Sequence, residues 1–150
     1  MSLADRMLVI EDGGIVQSGT PAEVTARPRS QYVADLVGVN LLRGTARGAA
    51  VDLDGGGRLV IAGEAAGQVL VVVAPAAVAV QRERPAAGAN VWPGQVGAVD
   101  LLGDRVRVRV EGTPAITAEV LPSAVDELKL DDGGQLWASV EPSAVRVYPP

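Results

Sequence analysis

Two kinds of periodicity divide this chain. Up to Val39, short apolar runs alternate with capping and turn residues. Met7–Ile10 and Ile15–Gln17 flank Asp12-Gly13-Gly14, the signal of a β-hairpin. Thr20-Pro21-Ala22-Glu23 then predicts a helix start: Thr20 caps, Pro21 takes the first helical position, and Glu23 closes a capping box. Arg27-Pro28 ends that helix, Ser30 caps a second one over Gln31–Leu36, and Gly38 stops it. After Asn40 the runs become Val-rich, short and separated by glycine. Arg105-Val106-Arg107-Val108-Arg109-Val110 has the period of two of a strand with one wet face. Strands are predicted near 41–47, 50–53, 58–62, 68–73, 77–80, 94–102, 104–111, 115–121, 135–140 and 144–148. A helical turn or two is predicted over Pro122–Leu128, capped by Ser123. Many short strands with turn signals between them predict small β-barrels.

The second region repeats itself. Residues 66–80 and 133–147, offset by 67, share Gly67/Gly134, Gln68/Gln135, Val73/Val140, Pro75/Pro142, Ala77/Ala144, Val78/Val145 and Val80/Val147. Asn40-Leu41-Leu42-Arg43-Gly44 and Asn90-Val91-Trp92-Pro93-Gly94 share Asn-x-x-x-Gly at an offset of 50. The larger second offset requires an insertion in the second unit, and Ala118–Leu130 is the expected place. Two related β units with a breakpoint at Pro85–Gly88 account for both echoes.

Composition narrows the chemistry. The 150 residues are 48% hydrophobic and 21% charged, with a net charge of -5 and neither Cys nor His. Thiolate nucleophiles, Ser-His-Asp triads, disulfides and ordinary zinc sites are thereby excluded. The acidic balance, two Trp, two Tyr and no Phe argue against a nucleic-acid partner. The run Val69–Val80 is too short to span a membrane and is broken by Pro75, so a soluble chain is expected. The one lysine, Lys129, follows Asp126-Glu127-Leu128, which is not a phosphate-cradling glycine loop. Asp132-Gly133-Gly134-Gln135 imitates part of an ATPase signature loop but leads into a strand pattern, so it reads as a turn. Asp52-Leu53-Asp54-Gly55 lacks the later Glu of a calcium loop, Gly63 standing there, and also reads as a turn. The arginines 105, 107 and 109, beside Asp100, Asp104 and Glu111, read as a solvated strand face.

Leu3–Ala46, with Leu-Ala-Asp-Arg, the hairpin, Gly-Thr-Pro-Ala-Glu-Val, Arg-Pro and Gly-Val-Asn-Leu-Leu-Arg-Gly, resembles the end of the ATP-binding subunit of ABC importers. The remainder resembles the TOBE, or molybdopterin-binding-like (Mop), tail of the molybdate, sulfate, polyamine, iron and maltose branches, and "GQVGAVDLLGDRVRVRVEG" and "ITAEVLPSAVDELKLDDGGQLWASVEPSAVRVY" are most similar to the molybdate type, which implies an importer of the molybdate or sulfate kind. The resemblance implies a mainly β fold: two small OB-like barrel units of TOBE/di-Mop type, preceded by a hairpin and two short helices. Residues 1–37 would be the end of a nucleotide-binding domain, and 38–150 the tail, as units of about 38–84 and 88–150. It also implies an accessory role at the cytoplasmic face of the membrane, in subunit pairing and substrate sensing. ATP and Mg, with the Walker motifs, signature loop and switch histidine, belong to the parent subunit upstream. This chain is expected to be no enzyme, to hold no cofactor or metal, and to neither bind nor hydrolyse ATP. Its expected partners are a second copy of itself and, for the parent, membrane permease subunits. A stand-alone oxyanion-storage protein and a nucleic-acid-binding OB-type barrel are the alternatives.

In such tails a Ser-x-Arg-Asn motif helps hold the oxyanion. Asn90 matches its Asn, while Ala87 and Ala89 replace the Ser and the Arg. The candidate oxyanion residues are therefore Asn90, Ser123 and Ser143. Weak or undetectable molybdate or sulfate binding is expected, since two convergent donors are missing.

Overall fold

In the N-terminal hairpin, β1 (Met7–Glu11) pairs with β2 (Gly14–Gly19) through a two-residue turn at Asp12 and Gly13, both at positive φ. The computed structural model describes residues 6–130 and 133–150. Helix α1 (Pro21–Ala26) starts at the predicted capping box: the Thr20 hydroxyl accepts from the Glu23 N–H, and the Glu23 carboxylate accepts from the Thr20 N–H. The Thr20 hydroxyl first, and then the Thr20 N–H, by hydrogen bonding to the carboxylate, hold the Glu23 carboxyl below its ordinary pKa. Helix α2 (Gln31–Val37) is capped by Ser30 and ends at Gly38 in the left-handed region. Val9, Val24 and Val33 pack the hairpin and both helices together. Ala34, on the next face of α2, packs on Leu41, Leu70, Val72 and Tyr148 of the β region.

The β region comprises two sheets. One has the order β10–β4–β3, with β3 Asn40–Leu53, β4 Arg58–Val73 and β10 Arg146–Tyr148. The other has the order β5–β9–β6–β7–β8, with β5 Val78–Gln81, β6 Val91–Leu102, β7 Arg105–Gly112, β8 Ile116–Val120 and β9 Gln135–Val140. The second sheet curls until β8 lies against β5 and the 3-10 turn Pro75–Ala77. One core, including Val51, Leu59, Val71, Val106, Val108, Ile116 and Leu136, joins both sheets. The fold is mainly β and OB-like, behind a hairpin and two short helices.

The repeat governs this topology residue by residue. The pair Ala79↔Ser139 of β5 and β9 becomes, with each residue replaced by its repeat counterpart, Arg146↔Val72 of β10 and β4, which is also observed. Each unit therefore lends its last strand to the other, in matching register. The second echo behaves alike: Leu41↔Val72 on β3–β4 matches Val91↔Ser139 on β6–β9.

Several local expectations change. Strands predicted separately at 41–47 and 50–53 form one strand, β3, with a register shift between Gly48 and Ala50. Those at 58–62 and 68–73 likewise form β4. The Ala/Gly-rich stretches between them read as loops because they lack side chains to pack, yet Arg47↔Ala66 and Gly48↔Ala65 keep the ladder going. β6 begins earlier than predicted and takes in Pro93, which lies just ahead of the β7 ladder starting at Gly94. Ser123 does not cap helix α3 (Ser123–Glu127); Pro122 occupies the cap position with no side-chain hydrogen bond. The insertion in the second unit is shared between the β6–β7 hairpin and the α3 excursion rather than confined to Ala118–Leu130. Gly133 and Gly134, both at positive φ, lead into β9 as a turn, and Asp132 lies outside the described residues.

Candidate functional site

Two buried asparagines join the exchanged units. Asn40, 7% exposed, accepts from the Thr117 N–H (2.9 Å) and donates to the carbonyls of Thr117 (2.8 Å) and Val73 (3.2 Å). Asn90, 3% exposed, accepts from the Val60 N–H (2.7 Å) and donates to the Val60 carbonyl (2.9 Å). Each carboxamide imitates one step of a β-ladder, holding a strand of the other unit where no strand pairs. Four residues on, the Asn-x-x-x-Gly glycines lie in equivalent tight approaches. A Cβ on Gly44 would meet the Asp52 carbonyl oxygen at 2.5 Å, and one on Gly94 would meet Val110 Cγ1 at 2.5 Å and the Glu111 carbonyl oxygen at 2.9 Å.

Of the sequence-predicted candidates, Asn90 thus has both polar atoms of its side chain engaged by Val60. Ser123 opens α3, and Ser143 lies in the 3-10 turn Pro142–Ala144 between β9 and β10. No hydrogen bond among the described residues joins these three side chains.

The repeat counterpart of the Asn90 junction opens into a cleft of about 850 Å³. It lies around Asn40, between α2 and the start of β3 on one side and β7, β8 and the Asp54–Gly56 turn on the other. Gln31, Asp35 and Gly38 line it from the helix, Arg43 from β3, and Arg107 and Arg109 from β7. The alternation of β7 produces this: Val106, Val108 and Val110 are fully buried, so the arginines share the other face. That face is not simply solvated, as the sequence reading had it. Arg107, 32% exposed, reaches the Glu119 carboxylate at 3.4 Å and donates to the Gly38 carbonyl at 3.3 Å. Arg109 donates to the Thr117 hydroxyl at 3.2 Å and lies 3.7 Å from Glu111. Arg105 pairs with Glu119 at 2.7 Å. Asp35 and Asp54 also line the cleft, so its charge is mixed with an excess of arginine. Sequence reasoning missed it because α2 is what turns an exposed strand face into a wall. The signal available was Asn40 itself, which shares the Asn-x-x-x-Gly echo with Asn90.

Asp52, of the discarded calcium motif, accepts from Arg58 Nε at 2.8 Å across the β3–β4 turn. Among the described residues no group of three or more His, Asp or Glu side chains is arranged to hold a metal ion, and no helix is long and apolar enough to cross a membrane.

Exchanged OB-like units behind a hairpin and two helices define a mainly β, OB-like fold. Residues 86–147 match the family model of the TOBE domain. The chain is related over nearly its whole length to ATP-binding subunits of ABC importers, corresponding to their C-terminal part. It is 33% identical to the molybdenum import ATP-binding protein ModC of Mycobacterium tuberculosis, over 99% of this chain and 43% of that protein. It is 34% identical to the sulfate/thiosulfate import ATP-binding protein CysA 2 of Chromobacterium violaceum, over 99% of this chain and 42% of that one. The chain thus spans less than half the length of these relatives. A crystal structure of the cytoplasmic molybdate-binding protein ModG with molybdate bound superposes with a TM-score of 0.63 at 27% identity, covering 74% of this chain and 96% of ModG.

Proposed function

We propose that this chain is the accessory tail of an oxyanion importer's ATP-binding subunit, of the molybdate or sulfate kind, and that it senses the anion in the cleft around Asn40. The observation that carries this reading is the make-up of the cleft. Two arginines from β7 face a wall formed by α2, the element that resembles the end of the ATPase domain, so a ligand there touches both parts of the chain. A tetrahedral oxyanion needs convergent, charge-assisted donors, and Arg107 and Arg109 supply them. The Asn90 junction lacks such a pair, with alanine at 87 and 89. ATP and Mg binding, and contact with permease subunits, fall to the parent protein. The likeness to ModG supports a second reading, oxyanion storage by the same barrels.

Calorimetric titration tests the first reading. Molybdate and sulfate are expected to give saturable binding, and the Arg107→Ala/Arg109→Ala pair to weaken it strongly. Each charge-assisted hydrogen bond contributes about 1.5–3 kcal/mol, roughly ten- to more than a hundredfold in affinity. Equal binding by wild type and variant would place the anion elsewhere.

Pairing with a second copy is the other half of the role. Leu101 is 75% exposed and Leu121 63% exposed, and β7 brings their strand ends together: Leu101 pairs with Val106, which pairs with Val120 beside Leu121. Large exposed apolar side chains at neighbouring strand ends suit a self-complementary contact. Light scattering of the chain is expected to report a dimer that Leu101→Asp with Leu121→Asp returns to monomer. A wild-type monomer at high concentration would contradict it.

A further inference from the structure

The short crossing between α1 and α2, residues 27–29, is held from both ends of the chain. From β2, the Gln17 carboxamide donates to the Arg27 carbonyl and accepts from the Arg29 N–H, both at 2.9 Å. From β10, the Tyr148 hydroxyl donates to the carbonyl of buried Pro28. The Arg27 guanidinium lies over the Tyr148 ring, 5.8 Å from its centroid. The ring itself is buried with Ala34 of α2, Leu41 of β3 and Leu70 and Val72 of β4. Burial pushes the Tyr148 phenol up to about 12 despite Arg27, Arg43 and Arg29, so it keeps the proton it donates.

Tyr148 belongs to the strand that the second unit lends to the first, a strand of three residues paired with β4 alone. So short a strand depends on what its last residue grips. Backbone groups of three consecutive residues at the crossing leave little freedom to move one clamp without the other. We propose that Gln17 and Tyr148 couple the hairpin β1–β2 to strand β10 through residues 27–29, so that the two open together as one unit, separately from the five-stranded sheet. Gln17 and Tyr148 are positioning residues in this scheme. The exchange of strands then has a use: the β10–β4 pair, repeat counterpart of β5–β9, is tied to the segment that resembles the end of an ATPase domain.

Coupling of this kind is reciprocal, and reciprocity supplies the test. Native-state hydrogen exchange is measured on the 150-residue chain as wild type, Tyr148→Phe and Gln17→Ala. Tyr148→Phe, which keeps the ring, is expected to speed exchange of the hairpin amides, residues 8–18. Gln17→Ala is expected to speed exchange of residues 70–72 of β4, beneath β10, although it touches neither strand. One net hydrogen bond corresponds to about a three- to tenfold rise at each far end. Amides of β6 to β9 are expected to stay unchanged. A rise only beside each substituted residue would overturn the coupling, and so would a uniform rise that includes β6 to β9.

Discussion

Replacing Asn40 with alanine is expected to lower the stability of the chain by about 3–5 kcal/mol, well beyond the loss for an ordinary surface substitution. Its carboxamide makes three hydrogen bonds, to both backbone groups of Thr117 and to the Val73 carbonyl. Alanine leaves these three backbone groups without their Asn40 partner. Each buried polar group so stranded costs about 1–3 kcal/mol. The strand ends it joins come from different repeat units, so the loss loosens the junction itself rather than one hairpin. Asn40→Asp separates the contributions. A carboxylate still accepts from the Thr117 N–H but faces the two carbonyls with no proton to give, and is expected to be little better than alanine. Asn90→Ala, with two bonds to Val60, is expected to follow the same pattern with a smaller loss. Urea midpoints decide it; a loss under about 1 kcal/mol for Asn40→Ala would show that the clamp is incidental.

Gly44→Ala is the second large effect. The added methyl would sit 2.5 Å from the Asp52 carbonyl oxygen and 2.8 Å from Val51 Cγ1. The valine can rotate, but the carbonyl is part of β3 where the strand folds back beside its own beginning. The Asp54 N–H donates to the Arg43 carbonyl at 2.9 Å in the same turn back. Relief therefore requires the strand to move away from itself, and the cost is expected to be about 2–4 kcal/mol, at or above the usual range for overpacking. Gly63→Ala is the matched control. A Cβ there meets nothing within 4 Å at an ordinary φ, so it is expected to be neutral or slightly stabilising through the unfolded chain. Equal stability for the two variants would mean that β3 does not close on itself as described.

Much of the N-terminal segment was legible because its signals are local. Thr20, Glu23, Ser30 and Gly38 act on backbone groups within a turn of themselves, and spacing alone assigns them. The strand positions and the buried face of β7 were legible for the same reason, since alternation in Arg105–Val110 determines its own inside and outside. The repeat was legible as likeness, but likeness does not say which copy a strand pairs with. Val78 beside Val140, and Val147 beside Val71, is settled by closure of the whole β body, over separations that no window reveals. The site was harder still. Asn90 stood out because it matched a motif, whereas what its carboxamide does depends on Val60, thirty residues away. Arg107 read as solvent-facing because the helix that covers it, ending at Gly38, lies far off in sequence. Ser123 looked like a cap because hydroxyls cap helices, but Pro122 already occupies the cap position.

The central claim, that an oxyanion is sensed in the cleft where α2 meets β7, is tested most directly by anomalous diffraction from crystals of the chain grown with molybdate. The account predicts a molybdenum peak in the cleft within hydrogen-bonding reach of the Arg107 and Arg109 guanidinium groups, close to Asn40. A peak beside Asn90, Ser123 or Ser143 instead, or none in crystals that diffract well, would contradict it.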